Sequence, residues 1–220
     1  MNKCRIRFEK IGRAKYISHL DLMRTFQHAF IRSGIRIKHT EGFNPHPYIS
    51  IALPLQLGCE SVCEQLDIQL DDDMPPEKIP EKLNPWLPEG LLAVSASEPV
   101  CKVGQLRYVR CRIEFIYDDG RADERRAPLE SFFAQDSIVI SKKTKKGMGQ
   151  LDIAPHVNDV SVSEQNANTL IFTAVLSAVE PTVNPSNIVD ALCQLRSELA
   201  PDFARYRRTE VYDEKMQIFR

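Results

Sequence analysis

The residues best suited to chemistry lie in two short segments near the start of the chain. Ser18, His19 and Asp21 stand at a predicted helix start, and His46 stands in a proline-rich loop. A helix N-terminus favours a neutral imidazole, so His19 could act as a base near pH 7 and cleave RNA together with His46 and Asp21. The alternative is structural: Ser18 and Asp21 cap the helix, and His19 packs in its first turn. Ser18, His19 and Asp21 lie too close together on one helix start to form a Ser-His-Asp triad.

The second segment, Gly42–Pro47, is predicted to be an irregular loop with a binding function. Each proline removes a backbone donor and restricts its predecessor, so Pro45 and Pro47 hold His46 in a fixed direction. Phe43 offers a flat apolar face on which an unpaired base can stack. The alternative is that Phe43 fills the core and His46 caps a carbonyl group. The predicted pocket for a phosphate or a base consists of Arg13, Lys15, His19, Arg24, Phe43, Asn44 and His46.

A second basic segment, Lys142–Gly147, is predicted to form the tip of a hairpin. Its lysines favour an arm that grips a phosphate backbone through salt-sensitive contacts. The alternative is a solvated hairpin tip without a partner. On the last predicted strand, cations alternate with an aromatic residue, which suits the same partner. The predicted binding residues in this half are Lys142, Lys143, Lys145, Lys146, Arg207 and Arg208.

The net charge of −1 conceals an uneven distribution of charge along the chain. Residues 1–40 contain ten Lys or Arg and two acids, whereas residues 41–100 contain two Lys and eleven acids. Such asymmetry indicates a face for an anionic partner. The alternative is that the two segments neutralise each other across one sheet.

The six cysteines are scattered, which is typical of free thiols in a reducing compartment. Only Cys59 and Cys63 are close in sequence, and no second Cys or His pair completes a four-ligand metal site. No apolar run approaches the roughly 18–20 residues that cross a bilayer, and the first residues do not form a secretory signal. We therefore expect a cytoplasmic protein with no membrane association and no metal or cofactor of its own.

Hydrophobic periodicity predicts an α+β fold built from two tandem ferredoxin-like (split βαβ) units, residues 1–100 and 101–220. The first unit has predicted strands at 3–9, 35–38, 48–53, 62–70 and 91–97, and predicted helices at 18–34 and 75–83. The second has predicted strands at 107–117, 138–141, 169–177 and 204–212, and predicted helices at 128–134 and 185–199. The predicted stripe of the first helix is Leu20, Met23, Phe26 or Gln27, and Phe30.

Three strings in the chain closely resemble the radical-SAM-linked protein family. They are Arg13–Arg24 (RAKYISHLDLMR), Gly42–Pro47 (GFNPHP) and Leu53–Gly58 (LPLQLG), the last followed by Glu60-Ser61. Members of this family occur alone or as the C-terminal part of cobalamin-type radical SAM proteins, and the domain has no assigned function. Similar chains often lie beside genes for ribonuclease and ribosomal proteins, which associates the family with RNA.

The resemblance implies that the chemistry resides in a partner. The chain lacks the closely spaced cysteines that hold an iron–sulfur cluster. The cluster, S-adenosylmethionine and, as an open alternative, cobalamin would belong to a radical SAM protein. We therefore expect a non-catalytic accessory or substrate-presenting module that binds RNA, with the acidic segment 59–77 as a docking face. Two alternatives stay open: a small RNA-processing or RNA-modifying enzyme that uses His19 and His46, and an adaptor that binds only proteins.

Overall fold

The computed structural model describes residues 2–144 and 147–220, and the side chains of Lys143 and Thr144 lie outside that description. The chain divides into two compact units. The first comprises Met1–Gln105 and Ile218–Arg220, and the second comprises Leu106–Gln217. Both units mix helices with an antiparallel sheet, so the predicted α+β class is confirmed. Within the described residues, no helix is long and apolar enough to cross a membrane.

The first unit is a four-stranded sheet whose inner face is covered by two helices. Its strands are β1 (Lys3–Lys10), β2 (Ile49–Ile51), β3 (Glu60–Gln69) and β4 (Leu91–Ser97). Its helices are α1 (His19–Ser33) and α2 (Ile79–Leu83). The strands lie in the order β4-β1-β3-β2, and all neighbouring pairs are antiparallel. Both helices pack on the face of β1 that carries Cys4, Ile6 and Phe8.

The helix α1 forms where the sequence predicts it, because both of its ends are capped. The Ser18 hydroxyl accepts a hydrogen bond from the Asp21 amide at 3.2 Å. Gly34 follows the helix with a φ of +71°, a left-handed conformation that glycine adopts without strain. The predicted stripe was wrong at Leu20, which is 68% exposed. The residues that α1 buries are Leu22, Phe26, Ala29 and Phe30.

The segment between α1 and β3 is less regular than predicted. The predicted strand at 35–38 is reduced to one bridge between Ile37 and Leu70. The predicted strand at 48–53 is reduced to β2. Single backbone hydrogen bonds, such as Lys38 N to Gln69 O at 2.8 Å, hold this segment against β3. By contrast, the bounds predicted for β4 are confirmed at both ends.

The second unit has the same order of elements, with a hairpin inserted after its first helix. Its helices are α3 (Ala122–Phe133) and α4 (Pro185–Leu195). Its sheet has the order β10-β5-β9-β8 with antiparallel neighbours, and β6 pairs with β7 separately. The strands are β5 (Leu106–Ile116), β6 (Val139–Thr144), β7 (Gly147–Asp152), β8 (Val157–Asn166), β9 (Thr169–Ser177) and β10 (Phe203–Asp213).

Three elements of the second unit differ from the prediction. Pro128, which was expected to start a helix, lies inside α3, which begins six residues earlier at Ala122. The strand β8 was not predicted, because its outer edge is polar and only Val157 and Val162 are buried. The helix predicted at 185–199 ends at Leu195 and continues as a short 3-10 turn.

Candidate nucleic-acid interface

The strand register separates two ends of the first unit. In β1, Lys3 lies opposite Gln69 and Lys10 lies opposite Ser61 of β3. We call these the Lys3 end and the Lys10 end. The 3-10 turn Gly12–Tyr16 follows β1 directly, so it lies at the Lys10 end.

At the Lys10 end, hydrogen bonds and an ion pair connect the turn Gly12–Tyr16 to the residues that precede and begin β3. The amide of Gly58 donates to the carbonyl oxygen of Lys15 at 3.0 Å, which joins two of the strings that resemble one family. The Lys15 ammonium lies 3.6 Å from Glu60 Oε1, and the Gly12 amide donates to the same oxygen at 3.2 Å. Lys15, predicted to bind a phosphate, is therefore engaged within the unit.

A buried lysine supports this turn from below. Lys10 is 2% exposed, and its ammonium donates to the carbonyl oxygens of Lys15 at 3.3 Å and Ile17 at 2.8 Å. Burial lowers the pKa of Lys10 below its usual value, and the nearby Glu64 carboxylate opposes that shift. Lys10 therefore fixes the turn that precedes α1.

The remaining predicted residues at the Lys10 end lie on its surface. Arg13 is exposed on the turn, and His19 is exposed at the first position of α1. Arg24 lies one turn further along α1, with its guanidinium 3.3 Å from the Asp21 carboxylate. His19 does not pack in the first turn as the structural alternative expected.

The loop Gly42–Pro47 lies at the Lys3 end and presents its aromatic residue to solvent. Pro47 forms a bridge with His39. The Thr40 amide donates to the His46 carbonyl oxygen at 2.8 Å, and the His46 amide donates to the Thr40 hydroxyl at 2.9 Å. Phe43 is fully exposed, and Asn44 and His46 are exposed beside it. The alternative in which Phe43 fills the core is therefore wrong.

The structure does not bring the predicted pocket together. The strand β1 has 8 residues, so its two ends lie about 23 Å apart at about 3.3 Å per residue. The helix α1, with 15 residues, crosses about the same distance at about 1.5 Å per residue. Phe43, Asn44 and His46 lie at one end, whereas Arg13, Lys15, His19 and Arg24 lie at the other. His19 and His46 therefore cannot act on one bond.

The charge asymmetry is partly neutralised within the first unit, by three ion pairs between residues 1–40 and 41–100. Arg5 and Asp67 are joined at 2.6 Å across β1 and β3, and Arg36 forms an ion pair with Asp72. The bond to Arg36 lowers the pKa of the Asp72 carboxyl group. Three acids of the proposed docking segment 59–77, including Glu60, are thus occupied by cations of the first 40 residues.

Two cavities open at the Lys3 end, and the segment that separates them includes Pro47 and Ile49. The larger has a volume of about 510 Å³ and mostly apolar walls, which include Phe30, Ile35 and Pro47. The smaller has a volume of about 300 Å³, and its lining combines polar and apolar residues. Pro47 and Ile49 line both cavities, so the loop leads into each of them.

The register places the polar groups of the smaller cavity on one face of the sheet. In the strand pairing, Asp67 has Arg5 on one side and Ser50 on the other. Gln69, two residues further along β3, lies opposite Lys3. The cavity is lined by Lys3, Cys4, Pro47, Tyr48, Ile49, Ser50, Asp67, Ile68, Gln69 and Pro99.

Arg5 holds the carboxylate of this cavity in a fixed position. Its Nε and Nη2 donate to the two oxygens of Asp67 at 2.6 and 2.8 Å. The guanidinium is stacked on the ring of Phe219 at 4.3 Å, and the Arg5 side chain is 2% exposed. Its third nitrogen, Nη1, is buried without a hydrogen-bond partner among the described residues. Asp67 is 25% exposed and faces the cavity.

The predicted basic residues of the second unit have mixed placements. Lys142 is tied to the body of the unit, because its ammonium donates to Thr182 O at 2.8 Å and Asn187 Oδ1 at 3.2 Å. Arg208 is buried and Arg207 is half-buried, both on β10. The side chain of Lys143 and the residues Lys145 and Lys146 lie outside the described part of the chain.

The cysteines form no metal site in the part of the chain that the structure describes, where no group of three His, Cys, Asp or Glu side chains converges. All six cysteines are free thiols. Burial raises the pKa of Cys4 to about 12, which makes this thiol unreactive at neutral pH.

Sequence reasoning missed Lys10, Arg5, Tyr48 and Asp67. Arg5 lies on the face of the predicted strand 3–9 where a cation is ordinarily solvated, and Lys10 was predicted to lie in the polar loop that follows this strand. The only available signal was the charge opposition between residues 1–40 and 41–100, which does not identify the pairs.

Comparison with known proteins gives a family and a fold. The model of a family described as uncharacterized proteins conserved in bacteria (DUF2344) matches residues 3–185. No curated protein matches the sequence. A chain in the crystal structure of a Cbf5-Nop10-Gar1 complex is similar in fold, with a TM-score of 0.51 and 12% identity. The match covers 96% of this chain and 50% of that one, so this chain spans half the length of its structural neighbour.

Proposed function

We propose that this chain, which belongs to the DUF2344 family of uncharacterized proteins conserved in bacteria, is a non-catalytic module that binds RNA. It presents that RNA to a radical SAM protein in the cytoplasm. The proposal rests on the Lys3 end, where the loop Gly42–Pro47 exposes an aromatic ring beside two cavities.

One observation carries the RNA-binding proposal: Phe43 is fully exposed on a loop stiffened by two prolines. An exposed phenylalanine has no role in packing, and a rigid loop loses little entropy when a ligand stacks on it. Stacking of one unpaired base on an aromatic side chain contributes roughly 1–3 kcal/mol. Lys38 and His46 are close to Phe43 in sequence, and their side chains can donate hydrogen bonds to a phosphate backbone.

We further propose that each unit is a ferredoxin-like (split βαβ) domain. The support is the strand order, which is β4-β1-β3-β2 in the first unit and the equivalent β10-β5-β9-β8 in the second. In both, a helix follows the first and the third strand of that sheet. Sheets of this type present a broad surface to single-stranded RNA in other proteins.

The radical SAM partner is proposed from the three strings that resemble the radical-SAM-linked family. That partner would carry the iron–sulfur cluster, S-adenosylmethionine and, in the cobalamin-type enzymes, cobalamin. Two of the strings, Arg13–Arg24 and Leu53–Gly58, are hydrogen-bonded to each other at the Lys10 end. Arg13 and His19 are exposed there and are available for docking. In this proposal the radical SAM protein binds at the Lys10 end and RNA binds at the Lys3 end.

The test is a measurement of RNA affinity by fluorescence anisotropy with a short, labelled, uridine-rich single strand. We expect Phe43→Ala to weaken binding by about tenfold, because one stacking contact is lost. Binding by the unchanged chain should also fall as salt increases.

The matched control is Phe203→Ala, which removes an aromatic ring that is 58% exposed in the second unit. We expect this variant to bind RNA as the unchanged chain does. Equal affinities of the unchanged chain and Phe43→Ala would reject the loop as the RNA-binding element. Absence of RNA binding at low salt would reject the function itself and favour the adaptor that binds only proteins.

A further inference from the structure

We propose that a cavity of the second unit is a further RNA-binding site, which receives one unpaired nucleotide of the bound RNA. This inference rests on the proposed RNA-binding function and extends the interface beyond the loop Gly42–Pro47. The cavity has a volume of about 670 Å³, within the range of small-ligand sites, and mostly polar walls. Its walls include Arg107, Tyr108, Pro155, His156, Asn158 and Ser177.

This cavity has the same position in the second unit that the smaller cavity has in the first. The strand order makes β5, β9 and β8 equivalent to β1, β3 and β2. A row of three apolar residues crosses each set of strands, one residue before β3 and β9 end. The row is Cys4, Ile68 and Ile49 in the first unit, and Val109, Leu176 and Val157 in the second.

A backbone hydrogen bond is repeated beside the two rows. In the first unit, the Leu70 amide donates to the carbonyl oxygen of Asn2 at 2.9 Å. In the second unit, the Ala178 amide donates to the carbonyl oxygen of Arg107 at 2.8 Å. Each donor lies two residues after its row, and each acceptor lies two residues before it. The two sets of strands are therefore equivalent residue by residue.

A proline is also repeated at the edge of the two cavities. Pro47 lies two residues before Ile49, and Pro155 lies two residues before Val157. Each proline lines the cavity of its own unit. In the first unit, this proline ends the loop that is proposed to bind RNA. The equivalent position in the second unit is therefore the place to expect a second contact with RNA.

The residues one position outside the rows line both cavities. In the first unit they are Lys3, Gln69 and Tyr48, and in the second they are Tyr108, Ser177 and His156. Each set combines an aromatic ring with side chains that can donate hydrogen bonds. These are the two kinds of contact that hold an unpaired nucleotide.

Two rings and one cation of the second cavity suit a nucleotide. Tyr108 and His156 are half-buried, and within residues 2–144 and 147–220 neither side chain forms a hydrogen bond or a ring contact. Unpaired bases stack on tyrosine and histidine rings. Arg107 Nη1 donates to the carbonyl oxygen of Leu106 at 2.8 Å, which restricts the movement of the guanidinium. We assign the two rings to the base and Arg107 to the phosphate.

One carboxylate of the cavity opposes the phosphate. Glu180 is exposed and lines the cavity, whereas the nearby Asp159 forms an ion pair with Arg110 at 2.5 Å. We expect Glu180→Gln to tighten nucleotide binding by about threefold, because an exposed charge pair contributes little. A weaker nucleotide affinity in Glu180→Gln would contradict the placement of the phosphate beside Arg107.

The decisive experiment locates a mononucleotide on the isotope-labelled chain by NMR. Uridine monophosphate is titrated, and we expect the amide signals of Tyr108, His156 and Ser177 to move. The amide of Phe203, which lies opposite Ile116 at the other end of β5, should not move. Uridine and inorganic phosphate, titrated separately, should each bind about tenfold more weakly, since each lacks one of the two contacts. Signals that stay unmoved, or that respond equally to inorganic phosphate, would overturn the site.

Variants then connect the cavity to RNA. Tyr108→Leu keeps apolar volume and removes the ring, so it should weaken both uridine monophosphate and the uridine-rich strand by about tenfold. Arg107→Met removes the cation and should weaken uridine monophosphate but not uridine. Phe203→Ala, at the other end of the unit, should change neither affinity. Thermal denaturation checks that each variant is folded. Equal strand affinities of the unchanged chain and a folded Tyr108→Leu would overturn the use of this cavity by RNA.

The outcomes separate this site from the proposed function. Phe43→Ala should weaken the strand and leave the response of the second cavity to uridine monophosphate unchanged. RNA binding without a response at this cavity overturns the site and leaves the function in place. A response to uridine monophosphate by a chain that fails to bind RNA would retain the nucleotide site and overturn the RNA-binding function.

Discussion

The two ends of the first unit carry strings that resemble one family, but the strings differ in what they contact. At the Lys10 end, the buried Lys10 of β1 holds the residues that follow the turn Gly12–Tyr16, and an ion pair and a glycine amide connect that turn to the hairpin between β2 and β3. At the Lys3 end, the loop Gly42–Pro47 carries an exposed ring and opens on two cavities. Distinctive strings of residues therefore do not all mark ligand sites. Some build the scaffold, and the exposed one is available for binding.

The contrast has a physical cause in the direction of the chain. The turn after β1 and the hairpin between β2 and β3 must meet at one end of the sheet, since β2 runs parallel to β1 and β3 returns. The loop after α1 must lie at the other end, because the helix crosses the whole sheet. Backbone groups at the Lys10 end are partly covered and need partners. The loop at the Lys3 end is solvated and needs few.

The largest effect is expected at Lys10. The change Lys10→Met removes the donor to Ile17 O and leaves the buried Glu64 without this cation. Loss of one partner of a buried charge pair ordinarily costs about 3–5 kcal/mol, and we expect about 4 kcal/mol of unfolding free energy, measured by urea denaturation. Lys38→Met, at the Lys3 end, is the control and should stay within about 0.5 kcal/mol. A loss below about 1 kcal/mol for Lys10→Met would contradict the scaffold role.

The same variant has a pH signature. The folded-state pKa of Lys10 lies below its usual value of 10.5, so the unfolded chain binds more protons between these two values. The free energy of unfolding should therefore rise with pH in that window for the unchanged chain, relative to Lys10→Met. Below the folded-state pKa, the charged lysine is desolvated and the difference between the two proteins is constant. Parallel curves for the two proteins throughout would contradict the lowered pKa.

A second prediction compares one glycine from each end. Gly90 has a φ of +87°, and an added Cβ would clash with the backbone oxygen of Ile11 and lie 2.9 Å from the Cβ of Ala14. Gly42 has a φ of +131° but open space around it. We expect Gly90→Ala to cost about 3 kcal/mol through strain and overpacking, and Gly42→Ala about 1 kcal/mol through strain alone. Thermal denaturation compares them, with Gly104→Ala as the neutral control. Equal losses of stability in Gly90→Ala and Gly42→Ala would contradict the predicted difference between the two ends.

The elements were predictable where local signals agree. Alternation of Cys4, Ile6 and Phe8 predicts β1, and the Ser18 and Gly34 caps predict α1. Pro128 was misleading because proline favours the first turn of a helix, whereas this proline lies inside α3, where it cannot donate a helical hydrogen bond. The polar strand β8 gave no periodic signal, since only its pairing with β9 specifies it.

The candidate site was predictable only in part. The exposed loop was expected from its prolines, and its separation from His19 follows from the order β1-α1-β2. The pairing of Arg5 with Asp67 spans 62 positions in sequence. It depends on the register of β1 against β3, which the alternation of hydrophobic residues does not fix to a single partner. The smaller cavity at the Lys3 end therefore became visible only with the fold.

The smallest effect is expected at the residue that matters most for binding. Phe43→Ala removes a ring that is fully exposed, so the folded state loses almost no buried surface. We expect a change within about 0.5 kcal/mol in unfolding free energy, measured by urea denaturation beside the affinity assay. Phe26→Ala is the contrasting control, because Phe26 is completely buried and its ring centroid lies 4.8 Å from that of Phe8. This variant should lose about 3–5 kcal/mol of unfolding free energy. A phenylalanine at position 43 that stabilised the fold would be a packing residue, and its loss would weaken RNA binding by unfolding. If Phe43→Ala keeps its stability and binds RNA more weakly, the Phe43 ring contacts the RNA and does not support the fold.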